Sequence, residues 1–222
     1  QIVTWLNSGR EHVEPVSLQQ VRQQINSDLC INSVNAATNT TNTIAQAQVS
    51  HNENLTQLSI LIANRRDLAL YRQLKQQIEL KGLQVYYLVP DAINAEREKL
   101  ALLFSQEPEL IPWFGAVIMQ TDFNAAKQLL EEIKPKLIVT NNSGVGVVAT
   151  DLGINWVAGP YLNTSNSISM YSLQQQGCSG AFVSNELNKI QIKAIKAPKG
   201  FKVHYSLFHP IMLMTSRQCL FL

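Results

Sequence analysis

The feature that most constrains the fold is a regular alternation, from Leu55 onward, of short apolar runs with segments of helical periodicity. The first two runs are residues 58–62 and 85–89, and the segment between them, 66–80, places its apolar residues on one helical face. Five further runs follow, at residues 116–119, 137–140, 154–158, 181–183 and 201–208. Runs that are apolar at every position are typical of parallel strands covered on both faces. The sequence therefore predicts an α/β fold in which seven parallel strands alternate with helices.

Two architectures fit this pattern of elements. One is a (β/α) barrel, complete or incomplete, and the other is an open doubly wound sheet. The dinucleotide-binding version of the open sheet is excluded, because no GxGxxG motif follows the first predicted strand. We expect the barrel, or an incomplete barrel truncated at its end, over residues 55–222.

Residues 1–54 differ in composition from the rest of the chain. A short strand is predicted at 2–6 and a short helix at 17–25, whereas residues 32–54 are rich in Asn, Thr, Ser and Gln. Such a polar stretch is typical of a loop or of weakly structured chain. We expect residues 1–54 to be the end of an accessory domain with a linker, and both ends of the sequence to be cuts inside a longer protein.

Composition argues against several classes of protein. The net charge of +2 gives no overall signature of nucleic-acid binding, although a partner domain could carry a basic surface. No window approaches about 18 consecutive apolar residues, so no transmembrane helix is predicted. The three cysteines, Cys30, Cys178 and Cys219, are odd in number and far apart, which favours a reducing cytoplasm over a secreted disulfide scaffold.

In either architecture a ligand binds beyond the C-terminal ends of the strands. The segments that follow the predicted strands, among them 120–122 after the third, are rich in amides and hydroxyls. The amide side chains expected to converge there on a polar ligand are those of Asn141, Asn142, Asn163, Asn166 and Asn185. Each could instead be a helix cap or a turn former, which are common structural roles of Asn.

Two titratable residues at predicted strand ends are candidates for acid–base catalysis, Glu186 and His209. Glu186 could instead stabilise the first turn of a helix capped by Ser184, and His209, held extended by Pro210, could be structural. His204 is expected inside a strand. No catalytic-triad order, nucleophile elbow, HExxH motif or phosphate loop occurs, so a conventional hydrolase is poorly supported.

Cys219 is a candidate metal ligand just beyond the last predicted strand. It follows Arg217 and Gln218, and a nearby cation favours the thiolate, which is the form that binds metal. An iron–sulfur cluster typically needs about four ligands, so this cysteine alone cannot hold one.

Three segments near the C-terminal end carry a resemblance. Residues 159–167 read Gly-Pro-Tyr-Leu-Asn-Thr-Ser-Asn-Ser, residues 183–192 contain Ser-Asn-Glu-Leu-Asn-x-x-Gln-Ile, and residues 209–219 end in Met-Thr-Ser-Arg-Gln-Cys. They resemble, over about residues 137–219, the collagenase-like peptidase family of unknown catalytic type, although the first segment is one residue shorter than the family pattern before its Leu. The last segment is most similar to the long members that hydroxylate cytidine in large-subunit ribosomal RNA.

The resemblance implies a function but leaves alternatives open. Family members include proteins classed as peptidases and RNA hydroxylases that use cysteine-ligated iron–sulfur clusters, and Cys219 matches the first cysteine of that ligand set. The other ligands would follow Leu222, so no cofactor is expected in this piece alone. The expected partners are the rest of its own polypeptide and ribosomal RNA, which Arg217 would help to bind, or a peptide substrate. The alternatives are a peptidase that uses Glu186 or His209, and a non-catalytic binding module.

Overall fold

The computed structural model describes Gln19 and residues 57–77 and 83–209. The chain divides into two units, Gln1–Leu55 and Thr56–Leu222, and the description below concerns the second. The strand predicted at 2–6 and the boundary near Asn54 lie outside the described residues, as does the helix predicted at 17–25 apart from Gln19, which is helical.

Seven parallel strands form one sheet, in which their spatial order is their order along the chain. Each strand pairs with the next in parallel register, for example Val85 with Leu110 and Ile138 with Trp156. The strands are β1 (Ser59–Ile62), β2 (Gln84–Leu88), β3 (Leu110–Phe114), β4 (Leu137–Thr140), β5 (Asn155–Ala158), β6 (Cys178–Phe182) and β7 (Lys202–His204).

A helix follows each of the first six strands. The helices are α1 (Asp67–Gln77), α2 (Ile93–Gln106), α3 (Gln120–Ile133), α4 (Ser143–Asp151), α5 (Ser167–Gln175) and α6 (Lys189–Ala194). No helix in the described ranges is long and apolar enough to cross a membrane.

The sequential strand order decides between the two predicted architectures. Right-handed crossovers between adjacent parallel strands place every helix on the same face of the sheet, whereas a doubly wound sheet requires a reversal of strand order. The sheet is curled, with β1 and β7 at its two edges in the described part of the chain. The predicted α/β fold is therefore confirmed, in the form of an incomplete barrel.

The main core lies between the sheet and its helices. Trp156, fully buried on β5, packs against α4, and its Nε1–H donates to Thr150 Oγ1 at 3.0 Å. A Cβ on Gly146 of α4 would come within 2.9 Å of the Trp156 ring. The composition of α4, which is rich in glycine, valine and alanine, thus follows from the close approach of a large ring.

A second apolar cluster fills the concave face of the sheet. It consists of one side chain from each of five neighbouring strands, Tyr86, Trp113, Val139, Val157 and Phe182. The rings of Tyr86, Trp113 and Phe182 meet edge to face, with centroids 4.9–5.9 Å apart. Such aromatic pairs contribute about 0.5–1.5 kcal/mol beyond their burial. The interior of the incomplete barrel is therefore a packed second core.

The prediction of the third strand is wrong. Residues 116–119 are a connection, and the strand is Leu110–Phe114, which contains Pro112. Proline is normally excluded from a central strand because it lacks an N–H donor. Here Pro112 pairs only with Tyr87 of β2, and the register with β4 begins one residue later, at Trp113. The segment beyond the third strand is therefore 115–119 and not the predicted 120–122.

Two predicted caps act elsewhere. Asp122 does not begin a helix but lies in the first turn of α3, where its Oδ1 accepts the Asn94 N–H, at the start of α2, at 3.0 Å. Ser184 does not cap the sixth helix either. That helix begins after Asn188, whose side chain accepts the N–H groups of Ile190 and Gln191 in a capping box.

Candidate functional site

The C-terminal ends of the strands lie along one edge of the curled sheet, here called the rim. Asn141 follows β4, Asn163 and Asn166 follow β5, and Asn185 follows β6. The neighbouring loops are linked through their backbones, because Ser184 N–H donates to Thr164 O at 3.3 Å. The structure therefore places the four predicted amides on three consecutive rim loops.

Asn141 is a buried bracket between rim loops. It is 5% exposed, its side-chain Oδ1 accepts the Tyr161 N–H at 3.1 Å, and its own N–H donates to Phe114 O at 3.1 Å. A Cβ on Gly159 would overlap the Asn141 amide, so glycine is needed there. Asn141 thus holds the ends of β3, β4 and β5 together, and its contacts are structural.

Three other asparagines shape the loops that carry them. Asn142 caps α4 by accepting the Val145 N–H at 3.2 Å. Asn163 has a positive φ of 53°, a backbone region that asparagine tolerates better than most residues, and its Oδ1 accepts from Ser165 Oγ. Asn166 caps α5 in a capping box with Ser169. The capping alternative therefore holds for Asn142 and Asn166.

Asn185 differs from these residues, because its buried Oδ1 has no hydrogen-bond partner in the described part of the chain. Two further buried polar atoms share this property, Thr164 Oγ1 and His204 Nε2. The Thr164 side chain, in the loop after β5, is fully buried. An unpaired buried polar group costs about 1–3 kcal/mol. The three atoms belong to the ends of three adjacent strands, β5, β6 and β7, so their unused hydrogen-bonding capacity is concentrated on one side of the rim.

His204 is the last residue of β7, as the prediction of a strand position required. Its imidazole ring stacks on Phe182 of β6, which belongs to the concave cluster. Burial, and to a smaller extent the nearby Lys202, lowers the pKa of His204 below its usual value. His204 is therefore a neutral histidine that can offer one donor and one acceptor nitrogen.

The two proposed acid–base residues have little support from their surroundings. Glu186 lies in an exposed turn before α6, not in the first turn of a helix, and its backbone N–H donates to Ser184 Oγ at 3.4 Å. His209 is exposed after β7. No hydrogen bond or ion pair joins the side chains of Glu186 and His209 within the described ranges.

The described residues do not fit an iron–sulfur cluster. Cys178 is buried at the start of β6, its thiol donates to Gly180 O, and burial raises its pKa to about 11. Metal binding requires the thiolate, which this environment disfavours. No group of three or more His, Cys, Asp or Glu side chains among the described residues could hold a metal ion. Cys30, Cys219 and Arg217 lie outside the described residues, so Cys219 as a cluster ligand stays a prediction.

Sequence reasoning missed Thr164 and gave His204 no role. Thr164 lies inside the segment 159–167, but nothing in its neighbourhood distinguishes it from the other polar residues of that loop. The position of His204 at a strand end was visible, whereas its stacking on Phe182 depends on the register between β6 and β7.

Comparisons with known proteins give no relative. No model of a protein family, no curated protein and no solved structure matches this chain.

Proposed function

We propose that this chain is the C-terminal part of a cytoplasmic RNA-modifying enzyme of the collagenase-like peptidase family, which hydroxylates cytidine in ribosomal RNA with the help of an iron–sulfur cluster. One observation carries the proposal. Two of the segments on which the resemblance rests, 159–167 and 183–192, are the loops after β5 and β6, and the third begins at His209, after β7. Segments that are separate in sequence thus fold into neighbouring positions on the rim.

The chemistry of these loops suits a nucleobase. Cytosine presents an exocyclic amino group as donor and ring acceptors on the same edge. Asn185 Oδ1 is an acceptor for that amino group, and the Thr164 hydroxyl is a donor for a ring acceptor. A base that reached both atoms would recover hydrogen bonds that the free protein leaves unmade. His204, at the end of β7, adds a third polar group to this set.

The cluster would be held in the longer protein by Cys219 and by cysteines beyond Leu222. In the hydroxylating family members it supplies the redox chemistry. The residues described here do not ligate it, and their proposed part is to bind and orient the base. The peptidase alternative is less well supported, because Glu186 and His209 are exposed and no hydrogen bond between them creates a nucleophile–base pair in the described ranges.

The proposal is tested in the full-length protein by the Cys219→Ser substitution. Large-subunit ribosomal RNA from cells that carry this variant as their only copy is digested and analysed for hydroxylated cytidine by mass spectrometry. We expect the modified nucleoside to disappear, whereas the Cys178→Ala control keeps it, since the Cys178 thiol is a protonated core group. Unchanged modification in the Cys219→Ser strain would refute the proposal.

A further inference from the structure

A run of unpaired positive charge lies beside the rim. Five of the chain's 18 basic residues and none of its 16 acidic residues fall between residues 189 and 202, and no acidic residue follows Glu186. These lysines, here called the lysine surface, are Lys189, Lys193, Lys196, Lys199 and Lys202. All five are exposed, and none forms an ion pair with a carboxylate in the described part of the chain. The overall charge of +2 conceals this local excess.

The lysine surface is carried by well-anchored backbone. The Lys196 N–H donates to Ser167 Oγ of α5 at 2.8 Å, and Lys199 O accepts from Gln174 Nε2 at 3.3 Å. Pro198 and Phe201 are buried between the exposed lysines. The connection from α6 to β7 is therefore docked on α5, and it presents its charges from a defined position.

Exposed aromatic side chains accompany this charge. Lys189 and Lys193 are one turn apart on α6, which leads away from the rim, and β7 returns to the rim with Tyr205 and Phe208 just beyond its end. Tyr205 is 51% exposed and Phe208 is fully exposed. Cationic side chains that follow a backbone, together with aromatic faces on which bases stack, are the combination that binds single-stranded nucleic acid.

We infer that the lysine surface with Tyr205 and Phe208 binds single-stranded RNA, with the lysines on the phosphates and the two rings on the bases. That the nucleic acid is RNA rests on the proposed function, whereas the charge and the aromatic rings indicate a single strand by themselves. A role in protecting a sheet edge from pairing applies only to Lys202, because the other four lysines are not on a strand.

The inference is tested with the whole 222-residue chain and a labelled, unstructured RNA of about 12 nucleotides, a length within the range that single-strand sites cover. Fluorescence anisotropy gives the affinity at several salt concentrations for two triple variants. One variant is Lys189→Gln/Lys193→Gln/Lys196→Gln, and the other is the matched control Lys99→Gln/Lys127→Gln/Lys136→Gln, which removes three exposed lysines elsewhere.

We expect the first variant to bind about tenfold to a hundredfold more weakly at 0.1 M salt and to lower the slope of log affinity against log salt by about 2, since each phosphate contact on a single strand contributes about 0.7. The control should lower the slope by much less. Tyr205→Ala/Phe208→Ala should weaken binding about fivefold or more with the slope unchanged, because stacking releases no counterions.

Equal losses in the two triple variants would overturn the inference, as would absence of RNA binding. Competition by polyglutamate that equals competition by RNA would overturn it in favour of an acidic protein partner. The assay needs neither cluster nor turnover. Its outcome is therefore separable from that of the hydroxylation test, which can fail while RNA binding persists.

Discussion

The imidazole ring of His204 stacks on the phenyl ring of Phe182, with 4.7 Å between the ring centroids and 22° between the ring planes. This contact extends the concave cluster to the edge strand β7 and joins it to the polar rim. Because the ring is buried and lies near Lys202, the pKa of His204 is lowered and the folded state favours the neutral form.

The first prediction concerns pH. A histidine whose pKa is lower in the folded than in the unfolded state contributes stability that is fully present above the unfolded value, near 6.5, and is lost as the pH falls towards the folded pKa. We expect the free energy of unfolding, measured with urea, to fall between pH 7.5 and pH 5. His204→Phe should weaken this dependence. An identical pH profile in the variant would show that His204 is not buried as described.

The second prediction concerns the stability of Thr164→Val. Thr164 is fully buried and its hydroxyl has no partner among the described residues. Replacing the hydroxyl by a methyl group of similar size removes an unpaired polar atom, so we expect the free energy of unfolding to rise by about 1 kcal/mol. Chemical denaturation of the two proteins measures the difference. A loss of 1 kcal/mol or more would mean that the hydroxyl has a partner in the free protein.

The third prediction concerns the contact between Asn141 and Gly159. Asn141→Ala removes the acceptor of the Tyr161 N–H and should lower the free energy of unfolding by about 1–3 kcal/mol. Asn124→Ala, at an exposed position of α3, is the control and should change it by less than about 0.5 kcal/mol.

Gly159→Ala should cost about 1–3 kcal/mol in the native protein, because its new methyl group overlaps the Asn141 amide. In the Asn141→Ala background the cost should be much smaller, since the obstructing side chain is gone. A double-mutant cycle measures this coupling, and strict additivity of the two changes would contradict the described packing.

The fourth prediction concerns the reactivity of Cys178. Burial raises the pKa of its thiol to about 11, so almost none of it is thiolate at pH 8. In the folded chain at pH 8, iodoacetamide should leave Cys178 unmodified, and in urea above the unfolding midpoint it should modify the residue. Peptide mapping by mass spectrometry separates this site from the other two cysteines. Rapid labelling of the folded protein would refute the buried position.

The elements that sequence reasoning recovered are those with strong local signals. The strand β4 was predicted with its bounds, because Leu137–Thr140 is a continuous apolar run between a proline-terminated helix and an asparagine cap. The strand β3 was missed because Pro112 weakens its signal, and the reason it is tolerated is the offset between the β2 and β4 registers. That offset is a tertiary property with no local signature.

The candidate site was predictable only in outline. Parallel strands imply a rim, and this was enough to place Asn141, Asn163, Asn166 and Asn185 there. Which of them is a cap or a bracket depends on hydrogen bonds between loops distant in sequence, such as Asn141 with Tyr161. The lysine surface was visible in the sequence, but a chain-wide net charge averages it away.

The most direct test of the account measures hydroxylated cytidine in ribosomal RNA from cells whose only copy of the full-length protein carries Thr164→Val and Asn185→Leu. These changes remove two of the unpaired rim atoms, so we predict that the modified nucleoside falls at least about tenfold while the protein remains folded and abundant. A normal level of the modified nucleoside in that strain would contradict the assignment of this rim as the site that binds the base.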